Sequence, residues 1–263
     1  MMTEVLKRGR IAGLAICVAV LGGSASWAQG FTPYAATYAV EMRTTAAGTP
    51  YQGGVGTLRH RWADGCAVWA VDQRFDLTVA YADGSVSDLT AALSSEEAKD
   101  GTRIEVRYTG TTDGIADEVR AADAMRPFPG APGQARTGRL DPDGGWDPNE
   151  WDLPAEAMLP TQHTLALLAA AAGGRTTLTV PVFQGQDHRP LFEVSAQIDP
   201  AIEGSWPITL RFARVEDRRD WHLYTVTGRL RPDGVITSLV YDYGDYHLVA
   251  QLTTFERLPV CTP

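Results

Sequence analysis

The sequence predicts a mainly β protein, a strongly curved antiparallel sheet, in the form of an open barrel, wrapped around one buried apolar α-helix. Three observations carry that reading. Apolar and polar residues alternate with a period of two along most of the chain; Asp-Gly turn signals separate the alternating runs; and one helical stretch, Leu165 to Ala172, is apolar on every face. The 263 residues are 44% hydrophobic and 21% charged, enough apolar material for a core. The formal charge of -9 has the wrong sign for a protein that neutralises phosphates, so nucleic acid is not an expected partner.

At the N-terminus, Lys7, Arg8 and Arg10 precede an apolar run from Ile11 to Leu21, and Ser26 and Ala28 are spaced for signal peptidase. Residues 1–28 read as a cleaved export signal, with Gln29 the mature start. A lipoprotein reading of Leu14-Ala15-Ile16-Cys17 is disfavoured, since Ile16 is too large before the cysteine. The run is too short to span a bilayer, and no later segment approaches the required length, so the exported protein is not expected to cross a membrane. Cleavage removes three basic residues and Glu4, taking the net charge from -9 to -11. It also removes Cys17 and leaves a pair, Cys66 and Cys261. In an oxidising compartment these two read as a disulfide, with no CxxC and no flanking base to suggest a reactive thiol.

The strand reading begins at Phe75-Leu77-Val79-Tyr81 and continues through Ile104-Val106-Tyr108, Leu178-Val180-Val182 and Phe192-Val194-Ala196-Ile198. It extends to Ile208-Leu210-Phe212, Tyr224-Val226-Leu230 and Tyr246-Leu248-Ala250-Leu252. Asp83-Gly84, Asp100-Gly101 and Pro232-Asp233-Gly234 supply the residues that tight turns need. From 126 to 160, seven prolines, Gly144-Gly145, Trp146 and Trp151 show no sustained period, and the segment reads as an irregular crossover within a single domain, 29–263. The helix follows, with Thr161 as the expected cap after Pro160 and Gly173-Gly174 as its end. At 1.5 Å per residue it spans roughly 15 to 18 Å, about the inner length of a curved sheet.

Chemistry is sparsely signalled. His60, His188, His222 and His247 have no metal-ligand spacing, and His163 stands apart only because it lies in the first helical turn. Asp141, Asp143, Asp147, Asn149 and Glu150 form an oxygen-rich loop, but Gly145 stands where a calcium ligand belongs and Trp146 where the turn glycine belongs. Asp242 and Asp245 flank Tyr243-Gly244 and read equally as paired carboxylates or as a turn. There is no P-loop, dinucleotide fingerprint or nucleophile elbow, and no cofactor is implied. His163, Asp242 and Asp245 are the candidate functional residues.

Several elements, in order, resemble the envelope integrity protein B family of α-proteobacterial periplasmic proteins, long catalogued as a domain of unknown function. They are Asp64-Gly65-Cys66, Leu153-Pro154, Leu159-Pro160-Thr161-Gln162-His163-Thr164, Val182-Phe183-Gln184-Gly185, Tyr241-Asp242-Tyr243-Gly244-Asp245-Tyr246 and Leu258-Pro259-Val260-Cys261. Leu159 and Gln184 depart from the family pattern, which has Phe and Asp there. The resemblance implies a periplasmic β-spiral closed by a Cys66–Cys261 disulfide, and a non-enzymatic role in maintaining the envelope through an envelope protein or a lipid-like or peptide ligand. The competing readings are a cell-wall hydrolase or transferase using carboxylates, and a metal-dependent module built on His163 or the Asp141–Glu150 loop.

Overall fold

In the computed structural model, residues 31–44, 48–141, 143–215 and 223–262 are described. The expected export signal, residues 1–28, and His222 lie outside them. Fourteen strands form one antiparallel sheet, built as two meanders joined at the middle. The first meander runs outward from β1 (Tyr34–Thr44) through β2 (Tyr51–Asp64), β3 (Val68–Tyr81), β4 (Val86–Ala98), β5 (Arg103–Thr112), β6 (Ile115–Met125), β7 (Gly133–Arg139) and β8 (Asn149–Leu153). The chain then crosses through α1 (Pro160–Ala172) to β9 (Thr177–Phe183) at the opposite end of the sheet. It returns through β10 (Leu191–Ile198), β11 (Trp206–Arg214), β12 (Tyr224–Leu230), β13 (Ile236–Asp242) and β14 (Tyr246–Arg257). Pairing of β14 with β1, from Tyr34 opposite Arg257 to Thr44 opposite Tyr246, makes the two meanders one sheet.

The sheet curls but does not close, because its outermost strands β8 and β9 are not hydrogen-bonded to each other. Across the seam, Met158 forms one parallel bridge with Val182: the Met158 N–H donates to the Pro181 carbonyl at 2.8 Å, and the Phe183 N–H donates to the Met158 carbonyl at 2.9 Å. Arg126, itself buried, donates to the Ala155 and Ala157 carbonyls at 3.1 and 2.7 Å and fixes the approach to that bridge. An unclosed sheet with its apolar face inward needs something to cover that face. Here α1 fills much of the interior, with Leu167, Leu168, Ala170 and Ala171 buried among residues of β1, β9, β10, β11 and β12. A second core joins Ile104, Val106, Ala122, Ala124, Ala135 and Leu153 of the first meander to Leu159 and Phe183 across the seam.

Two details differ from the sequence reading. The 126–160 segment is not wholly irregular, since it contains β7 and β8. The inward face of β7 is Gly133, Ala135 and Thr137, which gives no hydrophobic alternation, and β8 offers only Trp151 and Leu153, too short a run to detect. The helix begins two residues earlier than expected. Leu159 is its N-cap, Gln162 Oε1 accepts the Leu159 N–H at 3.1 Å, and the Thr161 side chain does not cap the helix. The N–H groups of Thr161 and Gln162, which the first helical turn leaves open, are met instead by Glu97 of β4, at 2.7 and 3.0 Å. Gly173 and Gly174 end the helix as expected, Gly174 with φ +73°.

Candidate functional site

The inner face of the sheet is set by cross-strand register. Trp62, His60 and Leu58 of β2 lie opposite Val71, Gln73 and Phe75 of β3, and these in turn opposite Ser95, Leu93 and Ala91 of β4. Because side chains alternate between faces, all of these point to the interior, together with Tyr34 and Tyr38 of β1 and Tyr241 of β13. The helix does not fill this space completely. A cavity of about 350 Å³ remains, bounded by the first turn of α1 (Thr161, His163, Thr164), by β2 to β5, and by the β9–β10 connection. Two smaller cavities adjoin it. One, of about 190 Å³, shares Leu58 and Tyr241 with it; another, of about 240 Å³, shares Leu58, Gln73, Leu93 and Gln186.

His163 is thus where helix and cavity meet, and its Nε2 is buried without a hydrogen-bond partner. His60, read from sequence as structural, lies in the same wall. Its Nδ1 is 2.8 Å from the Gln73 amide nitrogen, its ring stacks on Tyr34, and its Nε2 is also unpartnered. Burial disfavours the charged ring in both, lowering each pKa to about 4. Trp62 Nε1 is a third buried, unpartnered polar atom in this wall. Sequence reasoning singled out His163 but missed His60 and Trp62. The available signal was their alternate position on β2 with Leu58, which places them on one face; their convergence with a helical residue about 100 positions away is a matter of topology.

The remaining candidates are elsewhere. Asp242 and Asp245 both lie at the β13–β14 hairpin: Asp242 Oδ1 accepts the Gly244 N–H at 2.8 Å and pairs with His247 Nε2 at 3.1 Å, while Asp245 is exposed. Neither lines the 350 Å³ cavity with His163. Their hairpin carries Tyr243 into a continuous series of rings at one rim of the spiral. Phe212 stacks on Tyr224 at 4.4 Å, followed by Tyr243, Tyr246, Tyr51 and Tyr81 at successive spacings of 5.5, 5.0, 5.5 and 5.7 Å. His188 pairs with Asp187. Among the described residues, no three His, Cys, Asp or Glu side chains gather as a metal site would require, the Asp141–Glu150 loop included.

Cys66 and Cys261 form the disulfide, with Cα atoms 5.1 Å apart across a sequence separation of 195, and tie the C-terminal segment to the β2–β3 turn. Several residues of the elements that carry the family resemblance have a mechanical role. Leu159 is buried in the second core, the Gln162 side chain accepts the Leu159 N–H, and Phe183 is fully buried in the same core. Gly185 lies where a Cβ would stand 2.8 Å from Val106 and 2.9 Å from Ala122, so it lets the β9–β10 connection lie directly on β5 and β6. A family model described as EipB-like matches residues 25–259. This chain belongs to the EipB-like family. The crystal structure of a β-barrel-like protein of a domain of unknown function from Brucella abortus has the same fold. It superposes with a TM-score of 0.77 over 88% of this chain and 100% of that one, at 16% sequence identity. No curated protein matches the chain. No helix among the described residues is long and apolar enough to cross a membrane.

Proposed function

We propose that this EipB-like protein is an exported, periplasmic, single-domain binding protein that helps keep the cell envelope intact, and that its ligand lodges inside the spiral with no chemical step. The family name supports the envelope role. The observation that carries the binding reading is the interior cavity: about 350 Å³, mostly apolar, with a few buried polar atoms left without partners. That is the composition of a small-molecule site, which holds its ligand by apolar contact and orients it by a few polar groups.

The disposition of the carboxylates favours binding over hydrolysis. Among the described residues Glu97 is the deeply buried carboxylate, and both its oxygens accept N–H groups of the helix start. A carboxylate occupied in this way is poorly placed to exchange protons with a substrate. Asp242 is engaged by its own turn and by His247. Of the sequence candidates, His163 is assigned to the ligand wall and Asp242 to shaping the turn that presents Tyr243.

Native mass spectrometry of protein isolated gently from the periplasm tests the reading, together with incubation on peptidoglycan, lipoprotein and model ester substrates. The expected result is a co-purifying small-molecule mass and unchanged substrates. Turnover that disappears in His163→Ala, Asp242→Ala or Asp245→Ala would establish the enzyme instead.

A further inference from the structure

The two outermost strands of the sheet differ in how their free edges are used. On β9 the outward-facing backbone is partly taken by the chain itself: Met158 pairs with the Pro181 carbonyl and the Phe183 N–H, and Pro181 has no N–H to offer. On β8 the edge is open. Asp141 N–H donates to the Gly145 carbonyl at 2.9 Å, and the same register continues through Leu140 opposite Trp146 to Thr137 opposite Asn149 and Gly133 opposite Leu153. In an antiparallel ladder bonded pairs alternate with unbonded ones. Thr137–Asn149, Ala135–Trp151 and Gly133–Leu153 are therefore the bonded pairs, and Glu150 and Asp152 direct both N–H and C=O away from β7. Among the described residues neither backbone has a partner on that side. Pro148 and Pro154, the next residues of the same phase, offer no N–H, and they limit the open edge to a partner segment of about five residues.

The side chains select the occupant. Glu150 and Asp152 are exposed on the outer face, while Trp151 and Leu153 turn toward the second core, Trp151 only half-buried. From 140 to 174 the chain carries six carboxylates and no Lys or Arg. Arg136 of β7 stands opposite Glu150 but is held by Asp123 at 2.6 and 3.0 Å, and Asp152 receives the uncharged Gln134 amide at 3.0 Å. A second copy of this strand would set carboxylate against carboxylate, which is unfavourable between facing residues. An extended segment with Lys or Arg at alternate positions places its cations beside Glu150 and Asp152 on the outer face, and the residue between them beside Trp151.

We propose that the open edge of β8 is a docking site for a short, extended, basic segment of a partner protein, which adds a strand to the sheet by pairing with the Glu150 and Asp152 backbone. No residue of β8 lines the interior cavity, so the site is independent of any ligand held there.

The test titrates the intact, disulfide-bonded protein with acetyl-Lys-Val-Lys-Val-Lys-amide at low ionic strength and follows backbone amides in ¹H–¹⁵N spectra. At about 1 mM peptide the Glu150 and Asp152 amides should shift and gain protection from hydrogen exchange, and the same peptide with Glu in place of Lys should leave them unmoved. Two comparisons separate strand pairing from charge. Methylating the backbone nitrogen of the central lysine keeps every charge but removes a donor that faces β8 in either register placing lysines beside both carboxylates, and should weaken binding about tenfold or more. Glu150→Gln combined with Asp152→Asn keeps the backbone edge and should weaken binding about fivefold. If that double variant fails to fold, the methylated peptide on the wild type decides alone. Equal binding of the methylated and plain peptides would reduce the interaction to surface charge and overturn strand addition. Shifts confined to residues outside β8, or no shift at all, would overturn the site.

Discussion

The Glu97 carboxylate accepts the backbone N–H of Thr161 at 2.7 Å, so a residue of β4 caps a helix that begins more than sixty positions later. Its other oxygen takes the Gln162 N–H at 3.0 Å. The two bonds satisfy donors that the first turn of any helix leaves open, and the negative charge lies at the positive end of the helix dipole. Burial nevertheless dominates and pushes the Glu97 pKa up to about 7, against the lowering effect of the Thr161 and Gln162 hydrogen bonds.

A pH signature follows from that displacement. The folded value lies above the ordinary 4.5, so between about 4.5 and 7 the folded protein holds more protons at Glu97 than the unfolded chain does. Its contribution to stability is complete below 4.5 and is lost as the pH rises through 7. Glu97→Gln removes this titration while keeping one acceptor. The stability of the wild type relative to Glu97→Gln is expected to fall by about 3 kcal/mol between pH 4.5 and 8, measured by urea unfolding at fixed pH. A difference independent of pH would show that Glu97 is not protonated near neutrality.

The histidines give the opposite slope. Burial lowers His60 and His163 to about 4, below their ordinary 6.5, so the unfolded chain binds more protons between those values. Their contribution is complete above 6.5 and is lost as the pH falls through 4. Two such groups outweigh the single Glu97 from 4.5 to 6.5, so the wild type should lose stability on acidification across this interval. His163→Phe should reduce the loss by about 3 kcal/mol. An unchanged slope would place His163 in contact with water.

These groups also mark what the sequence could and could not disclose. The alternation at Phe75-Leu77-Val79-Tyr81 and its repeats is a local property, and β3, β5, β9 to β12 and β14 all lie where it predicts. The apolar helix and the Gly84, Gly101 and Gly234 turns were legible for the same reason. Glu97 was not, because Ser95-Glu96-Glu97 reads as the wet end of a strand, and only pairing with Trp69 on one side and Ile104 on the other turns Glu97 inward. The cavity was half legible. His163 is distinguished by its place in the helix, whereas His60 and Trp62 join it only because β14 pairs with β1 and the sheet curls around α1.

The disulfide is expected to contribute through the unfolded chain. Closing a loop of this length is worth about 5 kcal/mol in the chain-entropy model, an upper value that strain and residual unfolded structure reduce. Cys66→Ser and Cys261→Ser should each lower the melting temperature by several degrees, and the double variant should be no worse than either single one. Non-reducing peptide mapping of the wild type should recover the linked pair; two free thiols would refute the bridge.

Leu168 lies on the buried side of α1, with its Cδ1 against Gly234 in the β12–β13 turn. Leu168→Asp puts a carboxylate with no partner into that contact, at a cost of several kcal/mol or a large upward pKa shift. Loss of cooperative unfolding, or a melting temperature lower by tens of degrees, is expected in thermal circular dichroism. A melting temperature within error of the wild type would mean that the helix does not form the core of the spiral.

Gly185 tests whether the seam is packed as tightly as its geometry demands. A methyl group there would stand 2.8 Å from Val106 Cβ and 2.9 Å from Ala122 Cβ, inside any normal contact, and both neighbours belong to paired strands that cannot easily retreat. Gly185→Ala should therefore cost about 1–3 kcal/mol by overpacking. The suitable comparison is Gly84→Ala in the β3–β4 turn, where φ is +85° but nothing lies within 4 Å of the added methyl, so only backbone strain of about 1 kcal/mol is added. The two variants also separate by function. Gly185 is followed by Gln186 and preceded by Gln184, which accepts the Tyr224 hydroxyl at 3.3 Å, and all three residues line the interior cavity. Displacing this connection should weaken binding of the apolar fluorophore N-phenyl-1-naphthylamine several-fold in Gly185→Ala and leave it unchanged in Gly84→Ala. Equal stability losses with equal fluorophore binding would mean that the β9–β10 connection does not rest on β5 and β6, and that the cavity is not bounded on that side.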